Sequence, residues 1–112
     1  MAKFTVRVEL HDASPEDYET LHEKMEEYDF IRTIKDKSGK EYHLPRAEYN
    51  YTSSKSKKAI EVSDLAKIPV REMIRESYNT KLSTKELDDL YMLFITKSDG
   101  RSWHNLEPVA KD

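Results

Sequence analysis

Two short segments of the sequence place a histidine beside side chains that can assist proton transfer. His11 directly precedes Asp12, and Tyr42, His43 and Arg46 lie within five consecutive positions. Histidine suits general acid and base roles because its ordinary pKa lies near neutrality. A neighbouring carboxylate can orient the imidazole, an arginine can bind phosphate, and a tyrosine ring can stack on a nucleic-acid base.

Cleavage of RNA by internal attack requires these same groups: a base for the 2′-hydroxyl, an acid for the leaving oxygen and positive charge for the transition state. The candidate catalytic residues are His11, Asp12 and His43. The candidate RNA-binding residues are Arg32, Tyr42, Arg46, Lys55, Lys57 and Lys58. The alternative interpretation is that all of these are solvated strand ends and loops.

Individual residues carry alternatives of their own. Asp12 suits an auxiliary helix cap, and Arg32 suits either a phosphate clamp on the open side of the sheet or an ion pair with Glu9. His22 is predicted to lie on the helix surface. Trp103 is predicted to anchor a tail or an interface, or to help stack a base.

Composition excludes several other classes of chemistry. The chain has no cysteine, so disulfides, thiolate nucleophiles and thiolate zinc sites are absent. It has two glycines, too few for a glycine-rich phosphate loop, and its four histidines lack the spacing of a helical zinc site. Its net charge of −3 argues against general affinity for nucleic acid. The charge is uneven, however, because residues 31–82 carry twelve Lys/Arg against seven Asp/Glu.

The first half of the chain predicts a strand, a helix and two further strands. Apolar residues alternate over Lys3–Leu10, which is typical of a half-buried strand. Ser14 and Pro15 form a strong helix start, and the helix is predicted to run over Pro15–Tyr28. Strands are predicted over Phe30–Lys35, Glu41–Leu44 as a hairpin extension, and Ala47–Thr52.

The second half is less regular. A helix is predicted over Val70–Tyr78 with a separate turn or short helix before it, because Pro69 disfavours one continuous helix. The apolar run Leu90–Thr96 is predicted to be a central strand. A helix remains an alternative there, since Ser83 and Glu86 have the spacing of a capping box.

The order of the elements predicts an α+β fold, a ferredoxin-like βαββαβ sandwich with an antiparallel sheet and both helices on one face. One domain would span residues 1–112, with 97–112 as an extension or edge strand. The sequence resembles the GhoS-type antitoxins of type V toxin–antitoxin systems over about its first half, up to Lys58. The likeness lies in strand one, Phe30, Ile34, Gly39, Leu44-Pro45 and Glu48-Tyr49.

The resemblance implies a small, dimeric endoribonuclease that cleaves a toxin transcript and is related in fold to CRISPR adaptation nucleases. It also implies that Asp12 could hold a divalent metal such as Mg²⁺, as an aspartate does at this strand end in those nucleases. No zinc or nucleotide site is expected. The N-terminus lacks an apolar signal-peptide region, so a cytoplasmic protein is expected. The alternative function is a non-catalytic phage or plasmid regulator that binds protein through an acidic helix or an exposed sheet face.

Overall fold

The computed structural model describes residues 2–78, 81–98 and 100–110. Within these ranges the chain forms a mixed α+β fold with a three-stranded antiparallel sheet, a small two-stranded sheet and three helices. The elements are β1 (Ala2–Leu10), α1 (Pro15–Glu27), β2 (Thr33–Lys35), β3 (Glu41–His43), β4 (Glu48–Ser53), α2 (Ala59–Ser77), α3 (Thr84–Asp88) and β5 (Tyr91–Ser98).

Strand β1 is the centre of the larger sheet, in the order β4-β1-β5. Both neighbours are antiparallel to it, with Val6 opposite Tyr49 on one side and Ile95 on the other. The predicted alternation is confirmed, because Phe4, Val6 and Val8 are fully buried while the intervening side chains lie on the opposite face. The buried face packs against α1 and α2, which places both long helices on one side of the sheet.

Helix α1 begins as its sequence predicts. The Ser14 hydroxyl accepts a hydrogen bond from the backbone N–H of Asp17, and the Asp17 carboxylate accepts one from the N–H of Ser14. This reciprocal cap fixes the first turn, and Pro15 occupies the first helical position. Helix α1 then buries Leu21 and Met25 against the sheet.

The hairpin β2–β3 forms the separate small sheet, in which Thr33 pairs with His43. Gly39 adopts a φ of 88° in its turn, the left-handed conformation that glycine allows. The strand predicted from Phe30 begins only at Thr33, although a single bridge still joins Ile31 to Asn50 of β4. The hairpin therefore lies beside the free edge of β4 without extending the larger sheet by a full strand.

Helix α2 corrects one prediction. It is continuous over Ala59–Ser77 and contains Pro69, where the sequence predicted a break. Proline removes one backbone donor from the helix, but Pro69 is buried in the apolar face together with Val70 and Met73. Packing of this long amphipathic face therefore offsets the lost hydrogen bond.

The segment after residue 81 contains both elements that its sequence allowed. Ser83 and Glu86 form the predicted capping box at the start of the short helix α3, and the apolar run then forms strand β5. The sequence predicted a central strand here, but β5 lies at the edge of the larger sheet and β1 is its centre. Residues 99, 111 and 112 of the predicted extension lie outside the described residues. The described part of this extension returns to β3, where Pro108 bridges to Tyr42. No helix among the described residues has the length and apolar character needed to cross a membrane.

Candidate functional site

Arg32 and His22 form the centre of a polar cluster between α1 and the larger sheet. Nη1 of Arg32 lies 2.7 Å from Nε2 of His22, and Nη2 donates to the carbonyl of Leu44 at 3.0 Å. The guanidinium also lies 5.9 Å from the ring centroid of Tyr49. The Nε atom of Arg32 is buried and has no hydrogen-bond partner among the described residues.

These contacts correct the predicted placement of Arg32 on the open side of the sheet and its considered ion pair with Glu9. Its side chain points toward α1, on the same side of the sheet as the core, and it binds His22 where an ion pair with Glu9 was considered. The carbonyl of Leu44, just after β3, accepts from Nη2 of Arg32 and so fixes the direction of the guanidinium. The backbone N–H of Leu44 in turn donates to the carbonyl of Arg32. Arg32 is therefore held in one geometry by side-chain and backbone acceptors together.

His22 was predicted to be a simple surface residue, and the structure shows that it is half-buried. Its Nδ1 lies 2.6 Å from the hydroxyl of Tyr49, a fully buried residue of β4. The pKa of His22 is lowered to about 4, chiefly by burial of the ring and then by the positive charge of Arg32; Glu19 opposes this effect and Arg46 adds a little to it. The imidazole is thus neutral near pH 7.

The neighbours of His22 define its tautomer. An arginine can only donate, so Nε2 of the neutral ring must accept from Arg32 and the ring proton must lie on Nδ1. That proton is donated to the Tyr49 hydroxyl. Both nitrogens of His22 are therefore engaged. The sequence did contain a signal for this position, since His22 lies four residues after Tyr18 and directly beside Leu21 in the buried helical stripe.

Arg46 extends the cluster toward the start of α1. Its guanidinium lies 4.3 Å from the ring centroid of Tyr18, a cation–π contact with the planar group over the ring. Tyr18 is itself fixed, because its hydroxyl accepts a hydrogen bond from the backbone N–H of Leu10 at 3.1 Å. Arg46 is exposed, and neither it nor Arg32 forms an ion pair with a carboxylate in the part of the chain that the structure describes.

The three predicted catalytic residues are all exposed, and no hydrogen bond joins them within the described ranges. His11 follows β1, where its carbonyl accepts from the Tyr78 hydroxyl at 3.3 Å. Asp12 adopts a φ of 51° in the adjoining turn. His43 ends β3, and its backbone N–H donates to the carbonyl of Glu107. The structure thus places His11 and Asp12 together in the turn after β1, and His43 on a separate segment, the β2–β3 hairpin.

The remaining predicted RNA-binding residues lie away from this cluster. The ring of Tyr42 lies 5.6 Å from that of Trp103, and its hydroxyl donates weakly to Asp36 at 3.4 Å. Lys55, Lys57 and Lys58 connect β4 to α2, as predicted for a polar loop. The backbone N–H of Lys58 donates to Glu61 and so helps to cap α2.

Asp12 was expected to be able to hold a divalent metal. No group of three or more histidine, cysteine, aspartate or glutamate side chains in the described ranges could hold a metal ion. Two other acidic residues have structural partners: Asp36 accepts hydrogen bonds within its own turn, and Asp88 forms an ion pair with Arg71.

Comparison with known proteins identifies no relative of this chain. No protein-family model, no curated protein sequence and no solved structure matches it.

Proposed function

We propose that this chain is a small endoribonuclease that acts as an antitoxin by cleaving a toxin transcript. The observation that carries the proposal is the pair of arginines beside His22, two guanidinium groups with no carboxylate ion pair in the described part of the chain. Both are pre-positioned, Arg32 by the Leu44 carbonyl and Arg46 by the Tyr18 ring. Arginines held in this way favour phosphate, because little side-chain freedom is lost on binding.

In this proposal the arginines bind the transcript and the exposed histidines carry the proton transfers. Arg46 binds phosphate first, because it is exposed and loses little hydration on binding. Tyr42 lies next to His43 on β3 of the hairpin. His43 and His11 are solvated imidazoles of the kind that general acid–base chemistry uses. His22 is excluded as the base because both of its nitrogens are engaged.

A ferredoxin-like arrangement is the finer description that we propose for the fold. The order β4-β1-β5, the two long helices on one face and the bridge from Ile31 to Asn50 support it. Under this proposal the segment containing β2 is a fourth strand that has separated from β4 after one bridge, and β3 is an addition to its hairpin.

A cytoplasmic homodimer is the proposed physiological state. Strand β5 is an edge of the larger sheet, and it carries Phe94 with 69% and Met92 with 52% of their surface exposed. Pairing of two β5 edges would join the two sheets and bring these side chains of both copies next to one another on the same face, and exposed apolar edge strands are the usual sites of strand addition.

The same exposed side chains favour one other candidate, a non-catalytic regulator that binds a protein partner through its sheet face. Phe94 and Met92 lie next to Arg7 and Glu9 on the face away from the helices. Such a mixture of apolar and charged groups is common at protein interfaces. A regulator of this kind would keep its binding activity when every histidine is replaced.

The direct test is incubation of the purified protein with labelled total RNA, with Mg²⁺ and with EDTA in parallel. We expect discrete fragments from the wild type, loss of cleavage in His11→Ala/His43→Ala, and strong loss in Arg46→Gln. Arg75→Gln is the matched control, since it removes an arginine from α2, where Arg75 donates to the Leu82 carbonyl. Equal cleavage by the wild type and the double histidine variant would overturn the catalytic assignment. Intact RNA throughout would favour the protein-binding regulator.

A further inference from the structure

A second group of cations lies on the opposite side of the larger sheet, away from the helices and from His22. Lys3 of β1, Lys35 at the end of β2, Lys37 in the following turn and Arg101 after β5 line one cavity of about 310 Å³. An adjoining cavity of about 300 Å³ shares Lys3, Lys35 and Arg101 with it. We call this continuous surface, defined by these four cations, the basic cleft.

The lysines of the basic cleft are not neutralised by the protein. None of Lys3, Lys35 and Lys37 forms an ion pair or a side-chain hydrogen bond within residues 2–78, 81–98 and 100–110. These lysines lie on separate segments of the chain, and they come close together only in the folded structure. Like charges brought together raise the local potential and attract a polyanion.

Arg101 is the fixed member of the group. Its Nη1 donates to the amide oxygen of Asn50 at 2.7 Å, which is a neutral partner. Burial lowers the pKa of its guanidinium, because the charged form loses contact with water and no carboxylate restores the loss. A bound anion would compensate this partly desolvated charge.

Two carboxylates, Asp36 and Glu41, line the two cavities, so the four cations of the basic cleft exceed the anions by two. Asp36 is engaged in its own turn, where it accepts from the backbone N–H groups of Ser38 and Lys40 and from the Ser38 hydroxyl. These hydrogen bonds hold the pKa of Asp36 below its ordinary value. Glu41 lines the adjoining cavity opposite Lys35 in the hairpin register, and it forms no ion pair with that lysine.

Trp103 adds an aromatic surface to one wall of the basic cleft. Its indole is partly exposed and lies at an angle of 58° to the ring of Tyr42, with 5.6 Å between centroids. The tilted contact leaves part of the indole face open to the cavity. Cations that follow a groove beside an aromatic ring are the usual means of binding single-stranded nucleic acid, because every base can stack and every linkage carries a charge.

We propose that the basic cleft binds the phosphodiester backbone of single-stranded RNA, with a base stacked on Trp103. The choice of RNA over another phosphate polymer rests on the proposed function, whereas the location of the cleft does not. The bound strand crosses the sheet face opposite to Arg46 and His22. The cleft therefore serves as a holding surface separate from the arginine pair.

Trp103 is the only tryptophan of the chain, so its fluorescence reports directly on the cleft. We would titrate single-stranded RNA and DNA of one sequence into the wild type and into Lys3→Gln/Lys35→Gln/Lys37→Gln. The control variant Lys24→Gln/Lys67→Gln/Lys85→Gln removes the same charge from the helices. We expect the cleft variant to bind RNA about tenfold more weakly or worse and its salt slope to fall by about 2, with the control unchanged.

A single substitution gives a second, milder test. Thr52 is exposed, lines the adjoining cavity and pairs with Lys3 in the sheet register. Thr52→Glu should weaken RNA binding by placing a carboxylate next to Lys3, and Thr52→Gln should not.

Equal losses of RNA affinity in the cleft and control variants would overturn the proposal that the cleft binds RNA. Tryptophan fluorescence that does not change on addition of RNA would overturn it as well. RNA cleavage measured on the same samples separates this from the proposed function. If the wild type cleaves RNA but the cleft variant binds RNA as tightly as the wild type, the endoribonuclease proposal stands and the cleft proposal fails. If the wild type binds RNA through the cleft without cleaving it, the cleft proposal stands and the endoribonuclease proposal fails. Tighter binding of DNA than of RNA would overturn the assignment to RNA.

Discussion

Nη1 of Arg32 and Nε2 of His22 lie 2.7 Å apart, and this contact joins the helix layer to the start of the β2–β3 hairpin. The bond exists only while the imidazole is neutral, because a protonated ring cannot accept. The protonation state of His22 therefore controls whether α1 and the β2–β3 hairpin are joined through Arg32.

Stability is predicted to fall between pH 6.5 and about 4 because of His22. The unfolded chain takes up this proton near pH 6.5, whereas the folded chain holds the pKa at about 4. The unfolded state thus binds more protons across this window, so the stability present above it is lost as the pH falls. Urea unfolding at several pH values measures the effect. His22→Gln should flatten the pH dependence in this window, and His104→Gln, which alters an exposed histidine, should retain it.

Replacement of Arg32 by methionine should raise the pKa of His22 without restoring its ordinary value. The largest cause of the lowered pKa is burial, which remains, and the charge of Arg32 is the second. We also expect a stability loss of about 1–3 kcal/mol, since His22 and the Leu44 carbonyl lose a charged donor. NMR titration of the imidazole measures the pKa. Arg46→Met should move it less, and an unchanged pKa in Arg32→Met would contradict the geometry.

The ion pair between Arg71 and Asp88 is predicted to stabilise the docking of α3 on α2. The guanidinium donates to both carboxylate oxygens, at 2.9 and 2.7 Å, and the Tyr91 hydroxyl donates to the same carboxylate. Because both side chains are about one-third exposed, we expect Asp88→Asn to cost only about 1 kcal/mol. Thermal unfolding measures this, with Asp89→Asn as the control.

The cost of Asp88→Asn should itself depend on pH. Arg71 holds the pKa of Asp88 below its ordinary value of 3.8. The stabilisation is therefore complete above that value and is lost as the pH falls through the lowered pKa. A difference between wild type and variant that persists in strong acid would show that the pair acts through packing alone.

Loss of the exposed aromatic ring on β5 should change the oligomeric state. If two copies associate through this edge, Phe94→Ser will shift sedimentation velocity profiles toward the monomer. Ile68→Ser is the matched control, because Ile68 is an exposed apolar residue on α2, with 41% of its surface accessible. Identical profiles for wild type and Phe94→Ser would rule out this dimer interface.

The elements predicted from the sequence depend on neighbours close along the chain. The alternation in β1 and the cap formed by Ser14 and Asp17 are set within a few residues, so they could be identified without the fold. The helix through Pro69 could not, since it depends on burial against a sheet formed by distant segments. Local propensity is overruled where a long apolar face is available.

The candidate site illustrates the same division. Arg32 and Arg46 could be selected by residue type, but their partners lie 10 and 28 positions away, on α1. His22 was overlooked because its role depends on Tyr49, which the fold brings from β4. The basic cleft was also hidden, since Lys3, Lys37 and Arg101 come from three separate segments.

The return of the described C-terminal residues to β3 closes the outer edge of the hairpin to strand addition. Val109 donates its N–H to the carbonyl of Glu41, and His43 donates to that of Glu107, so the outer edge of the hairpin is already occupied. Strand β5 has no strand beyond it in the described ranges. The proposed two-fold pairing through β5 would therefore leave the outer strand of the hairpin out of the interface, because its backbone groups already bind the C-terminal segment of the same copy.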